Sequence, residues 1–153
     1  MAGHIATSMV TTLLRGSNGI QCEPAAVQPA LLLQLYDMEN CPYCRLVREV
    51  LTELGLDAEI YPSPKGGARY RPITEQLGGT AQVPVLVDPT TAADIYEARP
   101  IIEDLYDSYA LRPKPLKSKL GPLQTLGSTL AGWPRASPGM RVHAGQLPQQ
   151  MLE

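Results

Sequence analysis

The chain has 153 residues, of which 44% are hydrophobic, and a formal net charge of −2. This length leaves room for one modest domain, and the charge gives no electrostatic reason to expect nucleic acid as a partner. Three cysteines are too few for a secreted disulfide scaffold, so a reducing compartment fits better. No apolar run is long enough to span a membrane, and we expect no such span.

Residues 1–30 read as a lead-in segment that has no acidic residue before Glu23. Its Ser, Thr and single Arg weakly resemble an organelle transit peptide, whereas its apolar positions would also suit a short amphipathic helix. We therefore expect a cytoplasmic or organellar protein. Cys22 lies in this segment and has no obvious partner.

An apolar run at residues 31–36 leads into a Cys-Pro-Tyr-Cys turn, and the turn leads directly into an amphipathic helix. The run predicts a central strand that is buried on both faces. Apolar positions at helical spacing predict the helix, which should end at Gly55. Pro42 then falls in the first helical turn, where proline is tolerated, so Cys41 is predicted at or beside the N-cap.

The two cysteines of this turn are candidate redox groups. The unpaired N–H groups of a helix N-terminus lower the pKa of a thiol and favour the thiolate, which is the form that attacks a disulfide. Cys44 comes one helical turn later, close enough to form a disulfide with Cys41 and more buried. We predict that Cys41 is the nucleophile and that Cys44 is the resolving thiol.

Two other interpretations of this Cys-x-x-Cys pattern stay open, a zinc half-site and a pair of unreactive cysteines. A tetrahedral zinc site would need two further ligands. The remaining cysteine and the histidines, Cys22, His4 and His143, lie in weakly structured surroundings. Metal is the weaker interpretation, and we expect none.

The chain then alternates strands and short helices as far as residue 110. The patterns predict strands at 56–61, 83–88 and 95–97, and helices at 73–77 and 100–110. The strand at 83–88 has proline as its second residue, where it cannot donate a ladder hydrogen bond.

The loop after residue 61 carries three basic residues, Lys65, Arg69 and Arg71. Their positive charge would meet the carboxylate of a small anionic ligand. A solvated basic loop without a ligand is the other interpretation.

Residues 111–153 are rich in Pro, Gly, Ser and Lys and are predicted to be a linker or tail. A weak self-similarity aligns residues 15–20 with residues 135–140, and in both places a proline-containing spacer leads to an apolar start. This pattern favours a tandem protein of which the present chain is the first half.

The element order β-α-β-α-β-β-α, with CPYC after the first strand and Val83-Pro84 opening the third, resembles the thioredoxin superfamily. Residues 31–110 resemble its glutaredoxins and the N-terminal domains of glutathione transferases. The resemblance implies an α/β, thioredoxin-like fold, in which three helices flank a four-stranded mixed sheet. It also implies glutathione as co-substrate, and glutathionylated or disulfide-bonded proteins as partners.

The resemblance implies roles for five residues besides the cysteines. In the family the proline is cis against the active-site cysteine, and the residue before it exchanges backbone hydrogen bonds with the cysteinyl part of glutathione. These positions are Pro84 and Val83. Glu97 matches an acid that holds the γ-glutamyl end, and Ala98 stands where a serine hydroxyl commonly contributes. Tyr43 would shape the entrance.

We expect a glutathione-dependent thiol–disulfide oxidoreductase of the glutaredoxin type. The alternative is a non-catalytic glutathione-binding or interaction module with the transferase N-terminal fold, because Ala98 departs from the family pattern and residues 111–153 cannot supply a transferase's helical domain. A third, less favoured interpretation is an iron–sulfur cluster held by Cys41 of two chains, for which Cys44 would be a competing partner.

Overall fold

The computed structural model describes residues 22–39 and 41–113. The predictions for residues 1–21, with the transit-like segment and His4, and for residues 114–153, with His143 and the tandem repeat, lie outside the described residues. The described elements are, in chain order, β1 (Leu33–Asp37), α1 (Pro42–Leu54), β2 (Ala58–Pro62), α2 (Arg71–Gly78), β3 (Val85–Asp88), β4 (Ala93–Tyr96), α3 (Ala98–Leu105) and a π-helical turn (Tyr106–Ala110).

The four strands form one mixed sheet in the order β2-β1-β3-β4. Strand β1 pairs in parallel with β2 and antiparallel with β3, and β3 pairs antiparallel with β4. A parallel pair needs a crossover connection, and α1 provides it between β1 and β2. The predicted thioredoxin-like fold, a four-stranded mixed sheet with three helices, is confirmed.

The core lies on the sheet face that α1 and α3 cover. It is built from apolar side chains of both helices and of the two interior strands, among them Leu33, Leu35, Val47, Leu51, Leu54, Leu86, Ile101, Ile102 and Leu105. Neighbouring strand residues point to opposite faces, so Ile95 packs on this core and Tyr96 faces the other side. There the Tyr96 ring lies so close to Gly78 that a Cβ at Gly78 would overlap it, which places α2 on the second face.

The predicted element ends need correction by a few residues. Leu31 and Leu32, predicted to lie in the first strand, precede β1 and are 56% and 50% exposed. The backbone N–H of Leu31 donates to the hydroxyl of Thr90, so it lies against the β3–β4 turn instead of entering the ladder. The predicted helix at 100–110 begins earlier, at Ala98, and ends at Ala110 as predicted, but its last turn from Tyr106 is π-helical.

Two more predicted boundaries shift in the same way. Strand β3 begins at Val85, so Val83 and Pro84 precede it, and β4 ends at Tyr96, which leaves Glu97 outside the sheet. In each case the residues excluded from the strand lie at the end of the sheet described below.

Residues 22–30 are bonded to the domain although they precede the sheet. The N–H of Glu23 donates to the carbonyl of Glu53, and the N–H of Ala25 donates to that of Leu54, at 2.7 and 2.8 Å. Arg112, just after the π-helical turn, forms a 2.8 Å ion pair with Glu23. The described part of the predicted lead-in segment therefore packs against the end of α1. No helix in residues 22–39 and 41–113 is long and apolar enough to cross a membrane.

Candidate active site

Strand pairing brings the residues predicted to form the site to one end of the sheet. Asp37 pairs with Pro62, so β1 and β2 end together. Tyr36 pairs with Val85, and Val85 pairs with Tyr96, so the start of β3 and the end of β4 lie at this same end of the sheet. The Val83–Pro84 bond and Glu97 directly adjoin these strand ends, and the CPYC turn follows the end of β1 after a short connection at residues 38–40. The fold therefore brings these residues together at one end of the sheet.

Cys41 is the N-cap residue of α1. Its backbone is extended, with φ −80 and ψ 117, and its sulfur accepts a hydrogen bond from the backbone N–H of Cys44 at 3.4 Å. Pro42 occupies the first helical turn, where its missing N–H has no partner to lose. The predicted position of the sulfur at the helix N-terminus is confirmed.

The pKa values of the two thiols move in opposite directions. The hydrogen bond from the Cys44 side chain is the largest cause of a lowered pKa at Cys41, to about 7; burial opposes it, and the backbone N–H groups of Cys44 and Tyr43 support it. The same hydrogen bond, followed by burial, raises the pKa of the Cys44 thiol. Cys41 is 7% exposed and Cys44 1%. At pH 7 about half of Cys41 is therefore thiolate, and a protonated Cys44 donates to it.

The backbone of Val83 lies beside this sulfur pair. The Val83–Pro84 peptide bond is cis, as the resemblance implies, and Pro84 is buried. The Cys41 thiol lies 3.8 Å from the Val83 carbonyl oxygen as a hydrogen-bond donor, and Val83 packs against a small cluster of Met38 and the two cysteines. A ligand sulfur bonded to Cys41 would therefore lie close to the backbone of the residue that precedes the proline.

The comparison with known families decides what kind of domain this is. The family described as "Glutathione S-transferase, N-terminal domain" matches residues 35–113, which is more than half of the chain. The chain belongs to this family. It is a thioredoxin-superfamily domain, and the resemblance inferred from the sequence is confirmed at this level. No curated protein and no solved structure matched the chain.

In this glutathione S-transferase N-terminal domain, Glu97 and Ala98 form the junction between β4 and α3. Glu97 is the N-cap residue of α3, it is exposed, and its side chain does not cap the helix. Its backbone is held at φ 66 and ψ 146, a conformation that L-residues rarely adopt and that concentrates at ligand-binding sites. Ala98 is buried, and it opens the helix. The segment therefore presents an exposed carboxylate next to a helix N-terminus.

Tyr43 is exposed at the start of α1. Its side chain is 51% exposed in the first helical turn, and it is the residue before Cys44 in sequence.

The three basic residues of the loop have different surroundings. The Arg71 guanidinium donates to the carbonyl of Ser63 at 2.8 Å and also to that of Ala81. Arg71 therefore joins two loops of the domain, and its hydrogen bonds favour a structural role over contact with a ligand. The guanidinium of Arg69 lies 4.7 Å from the centre of the Tyr70 ring, and Lys65 is exposed.

Two charged residues near the cysteines were missed in the sequence. Asp37, the last residue of β1, is 1% exposed, and its carboxylate accepts a hydrogen bond from Nε of Arg48 on α1. In the sequence, the only sign of this pair is a lone acid at the end of an apolar strand, which requires a partner if it is buried.

Among the described residues, no group of three or more His, Cys, Asp or Glu side chains is arranged to hold a metal ion.

Proposed function

We propose that this protein is a glutathione-dependent thiol–disulfide oxidoreductase of the glutaredoxin type. The observation that carries the proposal is the Cys41 sulfur at the N-cap of α1, with a pKa lowered to about 7 by the Cys44 thiol. About half of such a thiol is ionised at neutral pH, whereas a free cysteine is a few per cent ionised. Two cysteines with a purely structural role would not require one thiol with a lowered pKa beside one with a raised pKa.

In the proposed cycle the Cys41 thiolate attacks the glutathione sulfur of a protein–glutathione mixed disulfide. A new Cys41–glutathione disulfide forms, the old disulfide breaks, and the protein leaves as a thiolate that takes up a proton. The thiolate of a second glutathione then attacks the glutathione sulfur on Cys41, which releases oxidised glutathione and restores the Cys41 thiolate. The net reaction consumes one free glutathione, which leaves together with the glutathionyl group of the substrate as oxidised glutathione.

With a disulfide-bonded protein as substrate, the mixed disulfide joins Cys41 to that protein. Cys44 then attacks the Cys41 sulfur, the substrate leaves as a dithiol, and a Cys41–Cys44 disulfide remains. The three-residue spacing within one helical turn brings the two sulfurs into range for this step. Two further glutathione molecules would reduce the intramolecular disulfide.

The geometry around Cys41 supports glutathione as the thiol, and membership of a family associated with glutathione binding supports it further. The Val83 backbone beside the sulfur offers the polar groups that an extended cysteinyl peptide unit would pair with. The exposed carboxylate of Glu97 suits the α-ammonium of the γ-glutamyl group, and the N–H groups that open α3 suit its carboxylate.

Turnover of a glutathionylated peptide with glutathione and glutathione reductase tests the proposal. We expect activity in the full chain, loss of that activity in Cys41→Ser, and retained activity in Cys44→Ser, because the second glutathione can complete the cycle without Cys44. Thioredoxin reductase in place of glutathione and its reductase identifies the reductant.

A Cys22→Ser variant is the matched control, since Cys22 is an exposed cysteine of the same chain away from the α1 N-terminus. Activity that survives Cys41→Ser, or that Cys22→Ser removes, would contradict the assignment. Glutathione binding without turnover by the intact chain would favour the alternative, a non-catalytic glutathione-binding module.

A further inference from the structure

One charged side chain connects the two sides of the CPYC turn. Arg48 lies on α1, one helical turn beyond Cys44, and its Nε donates to the carboxylate of Asp37 at the end of β1. Its Nη1 reaches Glu39, in the connection between β1 and Cys41, at 3.3 Å. The same guanidinium thus contacts both acids that precede the turn, from the helix that follows it.

The Asp37 contact is the buried one of the two. Asp37 is 1% exposed, whereas Glu39 is 62% exposed in its side chain. A buried carboxylate is costly unless a charged or hydrogen-bonding partner compensates it. Arg48 is that partner, and the hydrogen bond to Asp37 is the largest cause of the raised pKa of its guanidinium.

Asp37 is also close enough to the cysteines to act on them. Met38, the next residue, accepts a hydrogen bond from the backbone N–H of Cys41 at 3.0 Å and packs in the same small cluster as both cysteines. Burial is the main factor that opposes the lowered pKa of Cys41, and the negative charge of Asp37 adds a smaller contribution in the same direction; it also adds the smallest contribution to the raised pKa of Cys44, after the hydrogen bond to Cys41 and burial. Among the described residues, the charged or titratable groups in contact here include Cys44 and Arg48 on α1 and Glu39 in the connection, and the cis-proline loop contributes the uncharged carbonyl of Val83.

We propose that the Asp37–Arg48 ion pair is a positioning device for the thiol chemistry, in which Arg48 fixes the CPYC turn to β1 and cancels a buried charge that would otherwise oppose the Cys41 thiolate. The proposal rests on the proposed function for its biological meaning. Its physical content is independent of turnover, because it concerns the ionisation of one thiol.

The ion pair predicts a distinctive order among variants. Arg48→Gln leaves the buried charge of Asp37 uncompensated and should raise the pKa of Cys41. Asp37→Asn keeps a hydrogen-bond acceptor for Arg48 but removes the negative charge, so it should lower that pKa. The double variant removes both charges and should return close to the wild-type value. If Arg48 acted only by holding the turn in place, all three variants would move the pKa in the same direction.

The measurement is the rate of iodoacetamide alkylation of Cys41 between pH 6.5 and 9, followed by mass spectrometry in a Cys22→Ser background. At the lowest pH, Arg48→Gln should slow alkylation about three- to tenfold, the effect of one charge at the effective dielectric of a protein interior. Arg48→Lys keeps the charge and should stay within about twofold of wild type. Because Arg48→Gln alone can fail to fold, the Asp37→Asn and double variants provide a second comparison.

Arg45→Gln is the matched control. Arg45 lies on the same helix and is nearer to Cys41 in sequence, but its ion-pair partner is Glu49 on that helix, at 3.9 Å. Its alkylation profile should match that of wild type. An equal effect of Arg45→Gln and Arg48→Gln, or a double variant no better than Arg48→Gln, would overturn the proposal.

Peptide turnover measured on the same proteins separates the two proposals. Slower turnover in Arg48→Gln at low pH, with recovery at pH 9, supports the ion-pair role. If the variants follow the predicted order of alkylation rates but the wild-type chain shows no turnover, the proposed function is overturned and the role of the ion pair stands. If the wild-type chain turns over the peptide but the variants do not follow that order, the role of the ion pair is overturned and the proposed function stands.

Discussion

The Cys44 thiol should control the pKa of Cys41 through one hydrogen bond. The side chain of Cys44 is the largest cause of the lowered pKa of Cys41, ahead of the backbone N–H groups of the helix terminus. Cys44→Ala removes the donor, whereas Cys44→Ser replaces it with a hydroxyl donor of similar reach. The two substitutions therefore separate the hydrogen bond from the resolving chemistry, which both of them abolish.

The expected size of the effect follows from the lowered value. With a pKa of about 7, about half of Cys41 is thiolate at pH 7. Loss of the largest favourable contact should raise the pKa by about one unit or more towards the ordinary value of 9.0. About one molecule in ten would then be ionised at pH 7. The alkylation rate in Cys44→Ala should fall about fivefold, while Cys44→Ser should stay within about twofold of wild type.

Alkylation by iodoacetamide from pH 5 to 10, with the modified peptide identified by mass spectrometry, measures both variants. At pH 10 the three proteins should react at the same rate, since Cys41 is fully ionised in each. This common limit is the internal control for a changed accessibility of Cys41, because a steric effect would persist at high pH. The Cys22→Ser background removes the exposed cysteine from the reaction.

A pKa near 7 in both variants would refute the reasoning, because the backbone N–H groups of the helix terminus would then suffice. A pKa raised equally in both would also refute it, since the serine hydroxyl retains the ability to donate. Only a difference between alanine and serine assigns the effect to the hydrogen bond.

The remaining predictions concern the γ-glutamyl segment and a half-buried acid, Asp104. In a Cys41→Ser background, Ala98→Ser should tighten glutathione binding several-fold, because its hydroxyl would donate to a carboxylate, a bond worth on the order of 1.5–3 kcal/mol before desolvation losses. Glu97→Gln should weaken the same binding, and calorimetry that shows no change in either variant would exclude this segment. Asp104→Asn should slightly raise the free energy of unfolding at pH 7, because burial and then the charge of Asp88 raise the pKa of Asp104. A protonated Asp104 stabilises the native state below its unfolded pKa and loses that contribution as the pH rises through the folded pKa. In urea titrations the gain from Asp104→Asn should therefore be larger at pH 7 than at pH 3. An equal gain at the two pH values, or the same gain in the exposed control Asp107→Asn, would contradict this.

The fold was predictable because its elements carry strong local patterns. The helical spacing of Val47, Leu51 and Leu54 and the stop at Gly55 defined α1 within the sequence, and all three side chains are buried. The ends of the strands were not predictable in this way. Leu31 and Leu32 continue the apolar run but precede β1, and the backbone N–H of Leu31 donates to Thr90, 59 residues away, instead of to a neighbouring strand.

The site was predictable where one short motif contains the geometry. Cys41, Pro42 and Cys44 are fixed relative to one another by a single helical turn, so the N-cap position followed from the sequence alone. The conformation of Glu97 did not, because a positive φ at a non-glycine residue has no sequence signal. The Asp37–Arg48 pair spans a strand, a turn and a helix, and both ends had to be placed before the contact could be seen.

Cys44 has two tasks in this geometry that make opposite demands on its proton. It keeps the proton while it donates to the Cys41 thiolate, and it must lose the proton before it can attack a mixed disulfide. The causes of its raised pKa resolve the conflict, since two of the three largest, the hydrogen bond to Cys41 and the charge of Cys41, exist only while Cys41 is a thiolate. Once Cys41 is bonded to a substrate sulfur, both disappear and burial remains. In the proposed cycle, the first step therefore lowers the pKa of the thiol that the second step requires.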